Sequence, residues 1–204
     1  MKYNYSGIDI FLPKYLSEDN FKILKKELEA FPSNIDKRMY TSALSESNNI
    51  FQGDGFIDFP IIDYMHLNDK PKLVPAIVLS NTCDISSENS RYYDNNIVYA
   101  PIIELDKYKR NLINKGIKSE TIDNHISDIR AQHVSSILFL PSINNLKDSI
   151  VFLDRVNNVS PDYLQHIKEK RLFSLSDYGF YLFIFKLSVH FTRIQERVNR
   201  GCLS

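Results

Sequence analysis

The sequence predicts an α+β domain built around a small antiparallel β-barrel. Three observations predict it. A one-sided apolar helix pattern stands near the N-terminus. Short β-branched apolar runs separated by turn residues fill positions 52–156. Further helix patterns interrupt those runs and follow them. The expected organisation is one domain over residues 1–204. An N-terminal helical extension covers 1–50, the barrel covers 51–156 with a helical insertion at 105–132, and C-terminal helices cover 157–204.

The first helix is expected from Ser17, a side-chain cap, followed by Glu18 and Asp19 in the first turn. Phe21, Leu24, Leu28 and Phe31 then recur at helical spacing, and Pro32 ends the element. Residues 33–50 are rich in Ser and Asn and read as a loop. The strand signals begin after the turn Gly53-Asp54-Gly55, with Phe56 to Phe59. They continue with Ala76-Ile77-Val78-Leu79 and with Ile97-Val98-Tyr99-Ala100, which Pro101 is expected to stop.

Between Leu105 and Gln132 the period becomes helical. Tyr108, Leu112, Ile113 and Ile117, then Ile122, Ile126 and Ile129, predict two short helices separated at Gly116. Ser136 to Pro141 and Ile150 to Leu153 are further strands. Ser160-Pro161-Asp162 starts a helix, with proline in the first helical position, expected to run to about Leu172. Ser176 caps a last helix expected to end near Gly201.

Composition narrows the function classes. Hydrophobic residues make up 43% and charged residues 25% of the 204, so a buried core is affordable without staples. The formal net charge is zero, which removes a chain-wide electrostatic attraction to nucleic acid or acidic membranes and leaves local patches. Two cysteines, Cys83 and Cys202, point to reduced thiols and a cytoplasmic setting rather than a disulfide framework. The most apolar stretch, Phe180 to Leu187, is far short of a membrane span. No cofactor or metal is expected, because the five histidines show no ligand spacing.

Four segments in order carry a resemblance: Gly53-Asp54-Gly55-Phe56-Ile57-Asp58-Phe59-Pro60, Val74-Pro75-Ala76-Ile77-Val78-Leu79-Ser80, Ile97-Val98-Tyr99-Ala100-Pro101-Ile102, and Val151-Phe152-Leu153-Asp154-Arg155-Val156. Together they resemble the MazF/PemK growth-inhibitor toxins over roughly residues 52–170. The resemblance implies an SH3-like barrel and a relationship to RNA-cleaving toxins whose barrels pair as dimers. It also implies where reactive groups would stand, and there this chain departs. Val74 occupies the position of an arginine before the Pro-Ala pair. Ile102 occupies that of a Ser or Thr after the third strand's proline. Phe152 occupies that of an arginine two residues before Asp154. Cleavage by the RNA's own 2′-hydroxyl needs a base and cations on the phosphate, which valine and isoleucine cannot supply. If RNA cleavage survives, its candidates are Lys70, Lys72 and Asp154.

Two other groupings invite a role. Cys83 and Asp84 follow the second strand; a reactive thiolate or metal site is one reading, and a buried Cys beside a turn-capping Asp is the other. Lys186, His190, Arg193, Arg197 and Arg200 recur at helical spacing. They form either a basic stripe for an acidic protein partner or for RNA phosphates, or a solvated face near a helix C-terminus. Tyr178, Phe180, Tyr181, Phe183 and Phe185 crowd one segment, too many for one core face. The expected function is a catalytically inactive, protein-binding regulatory module of a bacterial toxin–antitoxin or anti-phage system. The alternative is an endoribonuclease toxin with a rearranged site. A protein partner is favoured over RNA, no membrane is involved, and the resemblance admits a homodimer.

Overall fold

The computed structural model describes residues 17–33, 35–61, 70–86, 92 and 95–192. Helix α1 (Glu18–Glu29) begins with acidic residues as its sequence requires and buries Leu24. The segment read as a loop contains a single 3₁₀ turn (Lys37–Met39) and a two-residue strand, β1 (Tyr40–Thr41). Strands β2 (Gly55–Ile61) and β3 (Lys72–Val78) follow, then a one-turn helix α2 (Thr82–Ile85) and the long strand β4 (Ile97–Glu104). The helical insertion is present as expected, with α3 (Leu105–Asn114), α4 (Ser119–Arg130) and Gly116 at φ +74° between them. Strands β5 (Ile137–Leu140), β6 (Ser149–Phe152) and β7 (Asn157–Val159) precede α5 (Pro161–Ile167), β8 (Arg171–Leu175) and α6 (Asp177–Thr192).

The sequence is an α+β fold on one antiparallel sheet. Strand order is β1-β8-β2-β3-β4-β6-β5, with β7 also paired to β4. The sheet is not a closed barrel: among the described residues no ladder joins its ends, β1 and β5. The ends nevertheless approach, because the Tyr40 hydroxyl on β1 donates to the Pro141 carbonyl just beyond β5 at 2.7 Å.

Two local readings give way to pairing. Pro101 does not stop β4; it lies opposite Ala76 of β3, and the strand runs on to Glu104 along β6. The helix from Ser160 ends at Ile167 rather than Leu172. Ser160 caps it as expected, its hydroxyl accepting from the Tyr163 N–H. A single 3₁₀ turn follows, and Arg171–Leu175 become a strand held between β2 and β1. Partners distant in sequence outweigh a weak helical preference there.

A bulge aligns the core. Phe56 and Phe59 would face opposite sides of a regular strand, yet both are fully buried in one cluster. The ladder to β3 shifts between them, with Asp58 at φ +69°. Asp58 is fixed there by the Tyr163 hydroxyl on its carbonyl and by Lys170 on its carboxylate, both at 2.7 Å. This face of β2, β3 and β4 packs on α5 through Leu164 and Ile167. The opposite face packs on α6 and α1 through Phe183, Leu182, Tyr178 and Leu24, joined by Ile77, Val151 and Leu140. The outer face of β5 and β6 packs on the insertion through Leu105 and Ile129.

Helix α6 starts where the sequence places it. The Ser176 hydroxyl accepts from the Gly179 N–H at 3.1 Å and its carbonyl from the Phe180 N–H. Gly179 is required by proximity: a β-carbon there would stand 2.1 Å from the Met39 carbonyl oxygen. The predicted end near Gly201 lies outside the described residues. Of the crowded aromatics, Tyr178 and Phe183 are buried, Phe180 and Tyr181 are half-buried, and Phe185 is 63% exposed.

Candidate functional site

Two adjoining clefts lie where the sheet fails to close. The larger, about 550 Å³, is walled by β1 (Tyr40, Thr41), by Arg171–Ser174 of β8 and by Ile143 and Asn144 of the turn after β5. The smaller, about 320 Å³, is walled by Ile57, Pro75, Ile102, Leu146 and Leu172, with Glu104 and Lys147 at its rim. Leu172 belongs to both, so the clefts meet at β8. The 143–146 turn is held by reciprocal bonds between Ile143 and Leu146 and by the Asp148 carboxylate, which accepts the Ser142 N–H. Asp148 is in turn paired with Arg130 at 2.6 Å, tying this wall to the insertion.

The floor of the larger cleft rests on a charged pair that sequence reading missed. Asp54 is 1% exposed; its carboxylate accepts the Phe51 N–H at 3.0 Å and lies 3.5 Å from Arg171 Nε. Burial pushes the Asp54 carboxyl above its ordinary range, against the opposing effects of the Phe51 N–H and the Arg171 charge. The Arg171 guanidinium donates to the carbonyls of Leu44 at 2.7 Å, Ser47 at 3.2 Å and Asn49. One side chain therefore gathers the 44–49 loop and offsets a buried carboxylate. Gly53 makes the turn feasible at φ +89°. The Gly53-Asp54-Gly55 motif was legible as a turn. Its partner was not, because Arg171 lies 117 positions away in a segment that looked helical.

Of the positions singled out by resemblance, only Ile102 lines a cleft. Val74 is half-buried opposite Phe59, and Ile102 is 6% exposed and forms part of the smaller cleft. Phe152 is half-buried against the insertion, with the Arg155 guanidinium 4.1 Å over its ring and Tyr108 at its edge. The proposed ribonuclease residues are not brought together. Lys70 and Lys72 are exposed at the start of β3, where Lys72 pairs with Ile61. Asp154 is exposed in the turn between β6 and β7, on the side of β4 away from β3.

Cys83 is exposed rather than filling a barrel end, and it is Asn81, not Asp84, that caps α2 by accepting the Cys83 N–H at 2.9 Å. The Asp84 carbonyl accepts from Asn95. Among the described residues, no group of three or more His, Cys, Asp or Glu could hold a metal ion. No described helix is long and apolar enough to cross a membrane.

The basic stripe does not begin as an exposed face. Lys186 is 4% exposed, and its ammonium donates to the carbonyls of Gln132 at 2.9 Å and Val134 at 2.6 Å, just past the end of α4. Desolvation pushes it down to about 8. The buried ammonium is compensated by these two carbonyls, and a cation suits the neighbourhood of a helix C-terminus. His190 is half-buried with its ring against Phe191. Arg193, Arg197 and Arg200 lie outside the described residues.

No protein-family model matches this sequence, and comparison with curated proteins finds no match.

Proposed function

We propose that this chain is a non-catalytic protein-binding module, built on a divergent SH3-like barrel of the MazF/PemK kind that is left open between β1 and β5. In this reading it holds a protein partner within a bacterial toxin–antitoxin or anti-phage system, in the cytoplasm. One observation carries it: Ile102, standing where the resemblance expects a hydroxyl, joins Pro75, Ile57, Leu146 and Leu172 in the apolar part of a cleft that Asn145, Ser149, Glu104 and Lys147 complete. The charges near the two clefts are already engaged. Glu104 pairs with Lys147 at 3.4 Å, and Arg171 is spent on carbonyls and Asp54. Such a surface suits apolar protein side chains, and the described charges at it are paired with one another rather than aimed at a bound phosphodiester.

The test uses Ile57, which is 36% exposed and so tolerates change. Tagged wild-type and Ile57→Lys proteins are used to capture partners from the native host, and both are incubated with a sequence-diverse RNA pool. The expected result is a partner retained by wild type and lost by Ile57→Lys, with unchanged circular dichroism and intact RNA. RNA cleavage by the folded protein, abolished by Asp154→Ala, would overturn the reading in favour of the endoribonuclease.

A further inference from the structure

The edge of β8 is only partly covered. On one side β2 pairs with it at Gly55↔Phe173 and Phe56↔Arg171. On the other side β1 pairs only at Tyr40↔Leu175 and Thr41↔Ser174. After Thr41 the chain turns away, with the Ala43 N–H on the Thr41 hydroxyl and the Ser45 N–H on the Ser42 carbonyl. Among the described residues only β2 pairs with Arg171–Phe173; the 44–49 loop is held by the Arg171 side chain, and the 550 Å³ cleft opens along the side that β1 vacates. A strand paired on one side presents alternate N–H and C=O groups on the other, and only a second extended backbone can satisfy them in series.

We infer that the larger cleft is a strand-addition site: an extended, uncharged segment of the protein partner pairs with β8 beyond the end of β1. The inference rests on the protein-binding reading and names how the partner is held. Three residues of β8 span about 10 Å, room for a short strand. The wall facing it is neutral, with the hydroxyls of Thr41, Ser42 and Ser45 and the amide of Asn144, while Ile143 and Leu172 offer apolar contact. The one cation, Arg171, has its donors turned to Leu44, Ser47 and Asn49, so an acidic or phosphorylated segment gains nothing here. Side chains of the segment that pass Leu172 reach the smaller cleft, where Ile57, Pro75, Ile102 and Leu146 offer apolar contact, which fits the alternation of an added strand.

The probe is a display library of random linear peptides, panned against the full chain and against Ser42→Arg, an exposed substitution at the cleft's lip. The expected outcome is enrichment of uncharged peptides on wild type and none on Ser42→Arg. On binding, hydrogen exchange at those amides of residues 171–173 that point away from β2 should slow about tenfold or more. The inference is overturned if no peptide is enriched, if Ser42→Arg retains the same peptides, or if those amides exchange at the free rate in the complex. A host partner that depends on Ile57 yet leaves residues 171–173 exchanging freely would remove strand addition and keep the binding module. RNA cleavage would remove the module itself.

Discussion

The two ends of the sheet are finished differently. At the β5 end, Gln132 is 5% exposed and lays its carboxamide along the strand edge. Its Nε2 donates to the Phe139 carbonyl at 2.7 Å and its Oε1 accepts the Phe139 N–H at 3.0 Å. A side chain thus imitates the next strand, and Lys186 locks the Gln132 backbone from behind. At the other end β1 stops after two residues and β8 is left facing a cleft. An uncovered edge invites pairing, and among the described residues one edge is sealed and the other is not. The difference teaches that the open end is a local exception, not a general looseness of the sheet.

The comparison is broken most directly at its charged supports. Arg171→Met removes the donors from three carbonyls and leaves Asp54 buried without its cation. Unfolding in urea should show a loss of about 4 kcal/mol, with the 44–49 loop the first segment to lose protection from hydrogen exchange. At the sealed end, Gln132→Leu keeps the volume but orphans the Phe139 N–H and C=O. Stability should fall by about 3 kcal/mol, and light scattering should reveal association through the unsealed β5 edge. Stability unchanged by Gln132→Leu would show that the seal is incidental.

Lys186 gives a pH signature for the sealed end. Its ordinary value of 10.5 applies to the unfolded chain, and burial lowers it to about 8 in the fold. Between these values the unfolded state holds more protons, so this group's contribution to stability rises with pH. Below about 8 both states are charged and the full cost of burying the ammonium applies. The stability of wild type minus that of Lys186→Met should climb by up to about 3 kcal/mol from pH 8 to 10.5. A flat difference would contradict a buried charge. The smallest effect belongs to the cleft rim. Lys147→Ala breaks an exposed pair with Glu104 and should cost about 0.3 kcal/mol in urea unfolding.

What the sequence determined by itself was local. Ser160-Pro161, Ser176 and Gly116 marked helix ends because caps and left-handed turns are settled by a few neighbouring residues. The apolar period over 105–132 gave the inserted helices, and β-branched runs gave β3, β4 and β5. The tertiary structure alone decided that Arg171–Leu175 is a strand, that β4 continues through Pro101, and that Lys186 points inward. It also decided that Asp54 meets Arg171. The physical reason is the same in each case: strand pairing and buried polar partners join residues distant along the chain, and their energies exceed the local preferences that a sequence displays.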